Sequence, residues 1–487
     1  HDRVFIAVAI DGEVGAARNL AGALGREQHQ IETVRNLVDA IFDSDARHET
    51  LSFSKTPRWE ALALRAMARE ESRKSGFPLV AVENRAARLP RAASRSNRGA
   101  MAGEPSFTID GDTLRLITEG PERLTALLDL IDGAERSLRI LYYIYVDDEA
   151  GARVRQALID AAERGVAVKL IVDGLGSEHA ENHRFFDPLK HAGIDVCRFV
   201  PRLGRRYLLR NHQKLALADE ARVIIGGFNI QDSYFGTNEE QAWRDLGFYI
   251  EGPSAAHLTG YFDALDRWAK HDQAPLRSLR ALLSRWSEPN GGTRWLFGGP
   301  TRKPSPWAKA VRADLERARR VDLISAYFAP SPGMLRRLDR IGQRGVARVV
   351  LASKNDHGAA IWASRFTYAG LLRKGVEIYE YQPTKLHTKL FVIDDTVYIG
   401  SANYDIRSLF LNLELMLRVE DKAFAAYVRA YIDGEIADSE RITPELYQSR
   451  TGWWTRIKQA AAFFVMTVLD YNVTRSLNFG PERRLRK

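Results

Sequence analysis

Asn211-His-Gln-Lys-Leu-Ala-Leu-Ala-Asp219 and Leu386-His-Thr-Lys-Leu-Phe-Val-Ile-Asp394 are two copies of one pattern, His-x-Lys-x(4)-Asp. Each is trailed by a second matching stretch, Ile224-Ile-Gly-Gly-Phe-Asn229 after the first and Ile399-Gly-Ser-Ala-Asn403 after the second. One such motif arises readily by chance, but two in register, each followed at nearly the same distance by Gly-[Gly/Ser]-x-Asn, do not. Outward from the motifs the repetition continues. Arg164-Gly-Val-Ala-Val-Lys-Leu-Ile-Val172 answers Arg344-Gly-Val-Ala-Arg-Val-Val-Leu-Ala352, and Ala192-Gly-Ile-Asp-Val196 answers Lys374-Gly-Val-Glu-Ile378. Ala134-Glu-Arg-Ser-Leu-Arg-Ile-Leu-Tyr-Tyr-Ile-Tyr145 likewise answers Ala318-Arg-Arg-Val-Asp-Leu-Ile-Ser-Ala-Tyr-Phe328. The unit that duplicated is therefore a whole domain.

Each matched stretch runs from a helix end into an apolar strand, with a glycine closing the helix. Helices alternating with continuously apolar strands predict an α/β fold: two tandem sandwich domains related by duplication, their sheets covered by helices on both faces. The first is expected over 106–275 and the second over 276–440. A tail over 441–487 carries Trp453, Trp454, Arg456 and Lys458 ahead of the run Ala460-Ala-Ala-Phe-Phe-Val-Met-Thr-Val-Leu469. That run is too short to span a bilayer, and it suits either an interfacial helix or one packed on the core. Residues 84–105, rich in Arg, Ala, Ser and Gly, read as a linker. Residues 1–83, with a strand-like Val4-Phe-Ile-Ala-Val-Ala-Ile10, read as a small accessory α/β region.

The motif chemistry suits a phosphodiester. Alternate residues of a strand point the same way, so His212 and Lys214 share a face, as do His387 and Lys389. A hairpin return brings Asn229 or Asn403 beside them, giving a phosphate cradle that uses no metal. Two cradles face to face supply one imidazole to attack phosphorus and one to protonate the leaving oxygen. Asp219 and Asp394 sit an odd number of strand steps from their lysines and are read as structural.

Together these residues resemble the paired HKD motifs of the phospholipase D superfamily over about 106–440. Gly226-Gly-Phe-Asn-Ile-Gln-Asp-Ser-Tyr234 with Trp243-Arg-Asp245, and Tyr381-Gln-Pro-Thr-Lys-Leu-His387 with Gly400-Ser-Ala-Asn-Tyr-Asp-Ile-Arg-Ser408, are similar to its bacterial cardiolipin synthase branch. The resemblance implies a covalent phosphohistidine resolved by an alcohol or by water. His212 is expected to be the nucleophile and His387 the acid, although the symmetry of the motifs leaves the reverse open. Lys214, Lys389, Asn229 and Asn403 would hold the nonbridging oxygens. Ser401 would add a hydroxyl that its counterpart Gly227 cannot. A carboxylate should orient each histidine through its other ring nitrogen. Alignment within each copy suggests Asp245 for the first and Glu414 for the second, with Glu240 the rival of Asp245.

The bulk properties bound the reading. A chain of 487 residues, 45% hydrophobic and 27% charged, with mean hydropathy −0.30, is globular rather than disordered or membrane-embedded. A net charge of +9 and pI near 9.5 favour an anionic partner. The lone Cys197 excludes an intramolecular disulfide framework and suits a reducing compartment. His179-Ala-Glu-Asn-His183 lacks the glutamate of a hydrolytic zinc helix, and Asp147-Asp-Glu149 reads as a wet turn, so neither metal nor cofactor is expected. The leading expectation is a peripheral membrane phosphatidyltransferase on the cytoplasmic face of a bacterial inner membrane. Its partners would be a phospholipid, an alcohol or water acceptor and an anionic membrane surface. A leader or anchor removed ahead of His1 is compatible with it. The rivals are a hydrolytic phospholipase D, a nucleic-acid phosphodiesterase, which the Trp-Phe tail disfavours, and a catalytically dead lipid-binding module, which two intact His-Lys pairs disfavour.

Overall fold

The computed structural model describes residues 105–200, 209–271, 274–301, 304–355 and 358–469. The accessory region over 1–83, nearly all of the linker and the end of the tail lie outside them.

The first half builds β1 (Phe107–Ile109), β2 (Asp112–Ile117), β3 (Ser137–Tyr142), β4 (Ala167–Asp173), β5 (Asp195–Phe199), β6 (Leu215–Ala218), β7 (Arg222–Gly226) and β8 (Gly247–Glu251). The second half builds β9 (Thr293–Gly298), β10 (Arg320–Ser325), β11 (Phe328–Ala329), β12 (Val346–Ala352), β13 (Glu377–Tyr381), β14 (Lys389–Ile393), β15 (Thr396–Gly400), β16 (Tyr404–Asp405), β17 (Glu414–Glu420) and β18 (Ser439–Ile442). The sheet orders are β1-β2-β8-β7-β6-β3-β4-β5 and β18-β13-β12-β10-β14-β15-β17-β9. Read in opposite directions, seven consecutive strands correspond one to one, from β2 with β9 to β5 with β13, so the duplication extends to topology and register. In both sheets the parallel strands (β3-β4-β5 and β10-β12-β13) continue into an antiparallel hairpin (β6-β7 and β14-β15) that carries the motifs.

The hairpin strands are largely apolar because both of their faces are covered. β6 and β15 are buried throughout, and so is β14, which opens with Lys389. Successive residues divide between layers: Leu323 joins the cluster under the helices Pro306–Arg317 and Pro332–Arg344, whereas Ile324 faces the other way. That other face contributes to one continuous core that also takes Leu141 and Ile171 from the first sheet. The helices Pro253–Lys270, Leu276–Trp286 and Lys422–Ala437 complete it. The halves thus share a core, which fixes one against the other and makes a site between them rigid.

Asp219 and Asp394 are turn residues. Each follows the first strand of its hairpin, at φ 53° and 47°, and its carboxylate accepts backbone N–H groups that lead into β3 or β10. The donors are Glu135, Arg136 and Ser137 in one half and Arg319 and Arg320 in the other. Both lie away from the histidines, in agreement with the strand-parity argument.

Candidate active site

Backbone hydrogen bonds between the halves set the motifs in place. His212 N donates to Leu413 O at 3.0 Å and Leu413 N donates to Arg210 O at 2.9 Å. The mirror arrangement holds the other motif, with Arg244 N on Lys385 O at 2.9 Å and His387 N on Arg244 O at 2.7 Å. Each histidine is therefore stitched to the residues just ahead of the other half's carboxylate.

The carboxylates cross over as a result. His212 Nδ1 lies 3.1 Å from Glu414 Oε2, and His387 Nδ1 lies 2.6 Å from Asp245 Oδ2. This corrects the expectation that Asp245 serves the first motif and Glu414 the second. Within a half, the strand after the histidine and the strand after the carboxylate are separated by a third strand, which puts them about 10 Å apart. The stitching between halves removes that distance for the opposite histidine. The rival Glu240 is at neither imidazole; it is exposed, and its Oε2 accepts from Thr237 N at 2.8 Å.

His212, Lys214, Asn229, Asp245, His387, Lys389, Ser401, Asn403 and Glu414 are all buried, His212 being the most accessible at 7%. Two ammonium groups and two carboxylates are thus held out of water, an arrangement that costs stability unless each charge is paired. Lys214 Nζ donates to His212 O at 2.8 Å and sits 5.2 Å from the Tyr143 ring centre. Lys389 Nζ donates to His387 O and lies 2.7 Å from His387 Nδ1. Burial acts to raise the Asp245 carboxyl, but the charges of Lys389 and His387 outweigh it and hold the group below the usual aspartate range.

The glycines of the trailing stretches are steric requirements. A Cβ on Gly226 would lie 2.5 Å from Leu246 O, and one on Gly400, at φ 153°, would lie 2.1 Å from Leu415 O. Their neighbours differ in kind. Ser401 Oγ donates to Glu414 Oε2 at 2.5 Å and accepts from Leu415 N at 3.0 Å, so its hydroxyl holds the carboxylate rather than an open cradle position. A Cβ on Gly227 would lie 2.5 Å from Asp245 Oδ1 and 2.9 Å from Lys389 Cδ. The missing hydroxyl of the first copy is therefore the space that the Asp245–Lys389 pair occupies.

Of the amides, Asn229 Oδ1 accepts from Ile144 N at 3.2 Å and its Nδ2 donates to Tyr234 OH at 3.1 Å. Asn403 is tied through its backbone N to Ser408 Oγ at 3.1 Å. Four aromatic rings wall the histidines. Tyr143 stands 5.0 Å from the His212 ring centre, and Tyr234, Trp243 and Tyr327 stand 5.1, 5.3 and 6.5 Å from that of His387. Tyr143 lies in an apolar strand stretch, and Tyr234 and Trp243, which fall in the stretches that carry the resemblance, have no periodic signal that sets them apart.

Arg123 also escapes sequence reading. It is 1% exposed, and its guanidinium donates to Asp245 O at 2.6 Å, Thr118 O at 2.8 Å and Tyr234 O at 2.8 Å. It thereby braces the loop that carries Tyr234 and Asp245. The sign of it was an arginine inside the apolar stripe of the helix Gly120–Asp132, beside Leu124 and Leu127. Arg244 braces the same loop from outside through Glu435 at 2.7 Å and Glu119 at 2.8 Å.

The remaining candidate groups stay outside the site. His179, on the helix Glu178–Asn182, and His183, just past its end, meet edge to face at 4.1 Å. Asp148 caps the helix Glu149–Glu163 by accepting from Gly151 N at 2.8 Å, and burial pushes its carboxyl up to about 6.

The family model described as "Cardiolipin synthase, PLD-like domain" matches residues 127–265 and 311–436. Cardiolipin synthase A of Pseudomonas aeruginosa (strain LESB58) is 31% identical over 349 residues, 69% of this chain and 70% of its own. The major cardiolipin synthase of Bacillus subtilis (strain 168) is 29% identical over 371 residues, 74% of this chain and 76% of its own. Among solved structures, the phosphatidylserine synthase of Haemophilus influenzae Rd KW20 superposes with a TM-score of 0.60 at 13% identity. That match covers 78% of this chain and 97% of the other, and it is a likeness of fold.

Proposed function

The chain belongs to the family described as cardiolipin synthase, PLD-like domain, within the phospholipase D superfamily, and from that premise we propose how its residues carry out phosphatidyl transfer. It is a phosphatidyltransferase of that superfamily, and the reaction we assign moves a phosphatidyl group from one phosphatidylglycerol to the free hydroxyl of another, giving cardiolipin and glycerol. A carboxylate accepting from Nδ1–H places the imidazole lone pair on Nε2. Held so by Glu414, His212 attacks phosphorus through Nε2, and the bond from phosphorus to the glycerol oxygen breaks as His387 gives that oxygen a proton. His387 then takes the proton of the incoming hydroxyl, the new oxygen–phosphorus bond forms, and the phosphorus–nitrogen bond to His212 breaks. Lys214 and Lys389 neutralise charge on the nonbridging oxygens, with Asn229 and Asn403 as neutral donors and Ser401 holding Glu414. Asp245 and Glu414 act as positioning groups.

The observation that carries this reading is the crossed pairing, His212 with Glu414 and His387 with Asp245. It supports a single centre built from both halves, because neither half alone supplies an oriented imidazole. The absence among the described residues of a helix long and apolar enough to cross a membrane is compatible with surface attachment, and we assign the reaction to the anionic cytoplasmic face of a bacterial inner membrane. Labelled phosphatidylglycerol in vesicles, with products resolved by mass, tests it. Cardiolipin is the expected product. Phosphatidic acid alone would make water the acceptor, and cutting of DNA without lipid turnover would overturn the lipid assignment.

A further inference from the structure

The two helices on one flank of the second half turn large apolar side chains to the outside. In the helix Trp453–Phe464, Trp453 and Trp454 are each 62% exposed and Ile457 and Phe464 each 50%, while the side chain turned inward is Gln459. Gln459 is 2% exposed, and its Oε1 accepts from Tyr447 OH at 3.0 Å. The neighbouring helix Gly358–Leu372 is apolar on both sides, sending Tyr368 and Leu371 into the core. It buries Ser364 and Thr367, whose hydroxyls donate to the Ala360 and Ser364 carbonyls, and leaves Trp362 and Phe366 each 41% exposed. Soluble helices turn the apolar stripe to the core.

The helices form one surface. Phe366 meets Phe463 with ring centres 4.8 Å apart, Lys458 Nζ lies 5.6 Å from the Trp362 ring centre, and Trp453 stacks on Trp454 at 3.7 Å. Neither helix contains Asp or Glu; Arg365 is paired with Glu380 at 2.8 Å, which leaves Arg456 and Lys458 as the basic groups of the surface. Aromatic side chains beside basic ones, with no carboxylate, match the boundary between acyl chains and anionic headgroups. The surface also reaches the active site. Ala360, on the inner side of one helix, clusters with Ala326 and Tyr327, and Met466, just past the end of the other, packs against that cluster. Tyr327 is the ring 6.5 Å from that of His387.

We infer that this two-helix face docks on the anionic leaflet of a lipid membrane and hands a phospholipid headgroup to the adjoining histidines while its acyl chains stay in the bilayer. The inference rests on the phosphatidyltransferase reading above. A diacyl phospholipid cannot leave the bilayer for a buried site without exposing its chains to water, so the wall of the site must adjoin a membrane-seated surface. Tyr327, Ala360 and Met466 provide that continuity.

The test uses the full chain and a Trp453→Ser/Trp454→Ser/Phe464→Ser variant, none of whose positions belongs to the catalytic machinery. Vesicles of phosphatidylcholine with about a third phosphatidylglycerol serve for sedimentation binding, and short-chain phosphatidylglycerol below its micellar concentration serves as a membrane-free substrate. The variant is expected to lose vesicle binding on the order of tenfold or more, and vesicle turnover with it, while short-chain turnover stays within about twofold. Arg456→Glu/Lys458→Glu should weaken binding to the anionic vesicles and leave binding to pure phosphatidylcholine unchanged. Wild-type binding by the triple variant would overturn the inference. So would equal loss of short-chain turnover. If the wild type turned over neither lipid form yet still bound vesicles through this face, the docking surface would stand and the catalytic reading would fall.

Discussion

The two motifs share a scaffold but not an electrostatic setting. In the first, His212 leans on Glu414, whose Oε2 also takes the Ser401 hydroxyl, and Lys214 is turned to a carbonyl and the Tyr143 ring. In the second, His387 leans on Asp245, Lys389 lies against the same imidazole nitrogen, and the position matching Ser401 is Gly227. Duplication preserved topology to the register of single strands, whereas the pocket between the copies diverged into two unequal ends. An exchange that needs one nucleophile and one acid calls for such inequality, because two identical imidazoles would compete for one role.

The largest effect expected from breaking this comparison is at the histidines. His212→Ala and His387→Ala should each lower turnover by about 10²–10⁴-fold or more. A phosphatidyl ester of p-nitrophenol, whose leaving group needs no acid, separates the roles. Rapid mixing with His387→Ala should release about one equivalent of nitrophenol and then stall, and His212→Ala should release none. The opposite pattern would exchange the roles of the two histidines.

Next in size are the carboxylates, which test the crossing itself. Asp245→Asn should reproduce the nitrophenol behaviour of the His387 variant, and Glu414→Gln that of the His212 variant, each with losses on the order of 10²-fold in kcat. Because these groups act through the imidazoles, the losses should fall on kcat more than on KM, and the pH profile of kcat should shift. If Asp245→Asn behaved like His212→Ala, each carboxylate would serve its own half and the crossing would be refuted.

How much of this was legible in the sequence follows from what kind of signal each residue leaves. The duplication, the strand parity that joins His212 to Lys214, and the structural role of Asp219 and Asp394 are local patterns along one strand or hairpin, and all are visible in the chain. That Asp245 and Glu414 are the carboxylates beside the imidazoles was legible too, by alignment of the strands that follow. Their partners were not, because an alignment compares a copy with its equivalent and carries no information about which copy's loop lies across the pocket. Arg123 and Trp243 act through backbone carbonyls and ring faces from distant segments, and neither contact imposes a periodicity.

A smaller effect should come from exchanging the unequal neighbours of the motifs. Gly227→Ser places a Cβ in contact with Asp245 and Lys389, so a hydroxyl transplanted from the second copy should lower activity, and overpacking should cost about 1–3 kcal/mol of stability in chemical denaturation. Ser401→Gly removes both the hydrogen bond to Glu414 and the one accepted from Leu415 N, and should cost on the order of 2 kcal/mol. Wild-type stability and activity in Gly227→Ser would mean that the difference between the copies is not set by packing.

The subtlest difference is a titrating group at one matched position. Asp405 caps the helix Ile406–Phe410 by accepting from Ser408 N at 2.7 Å; burial, reinforced by the charge of Glu414, pushes its carboxyl up to about 6 even though that hydrogen bond opposes the shift. Two residues after the motif asparagine, the first copy has Gln231 where the second has Asp405, so that position is neutral in one copy and ionises in the other. An aspartate whose folded value lies above its unfolded one holds its proton more tightly in the native state. Stability therefore falls as pH rises from the unfolded value near 4 to about 6, and it stays lowered above that. Asp405→Asn keeps an acceptor for the helix cap and cannot ionise, so its melting temperature relative to wild type should climb across the same window. A difference that stayed flat from pH 4 to 6 would place the ionisation of Asp405 elsewhere and return the two ends to equal footing at this position.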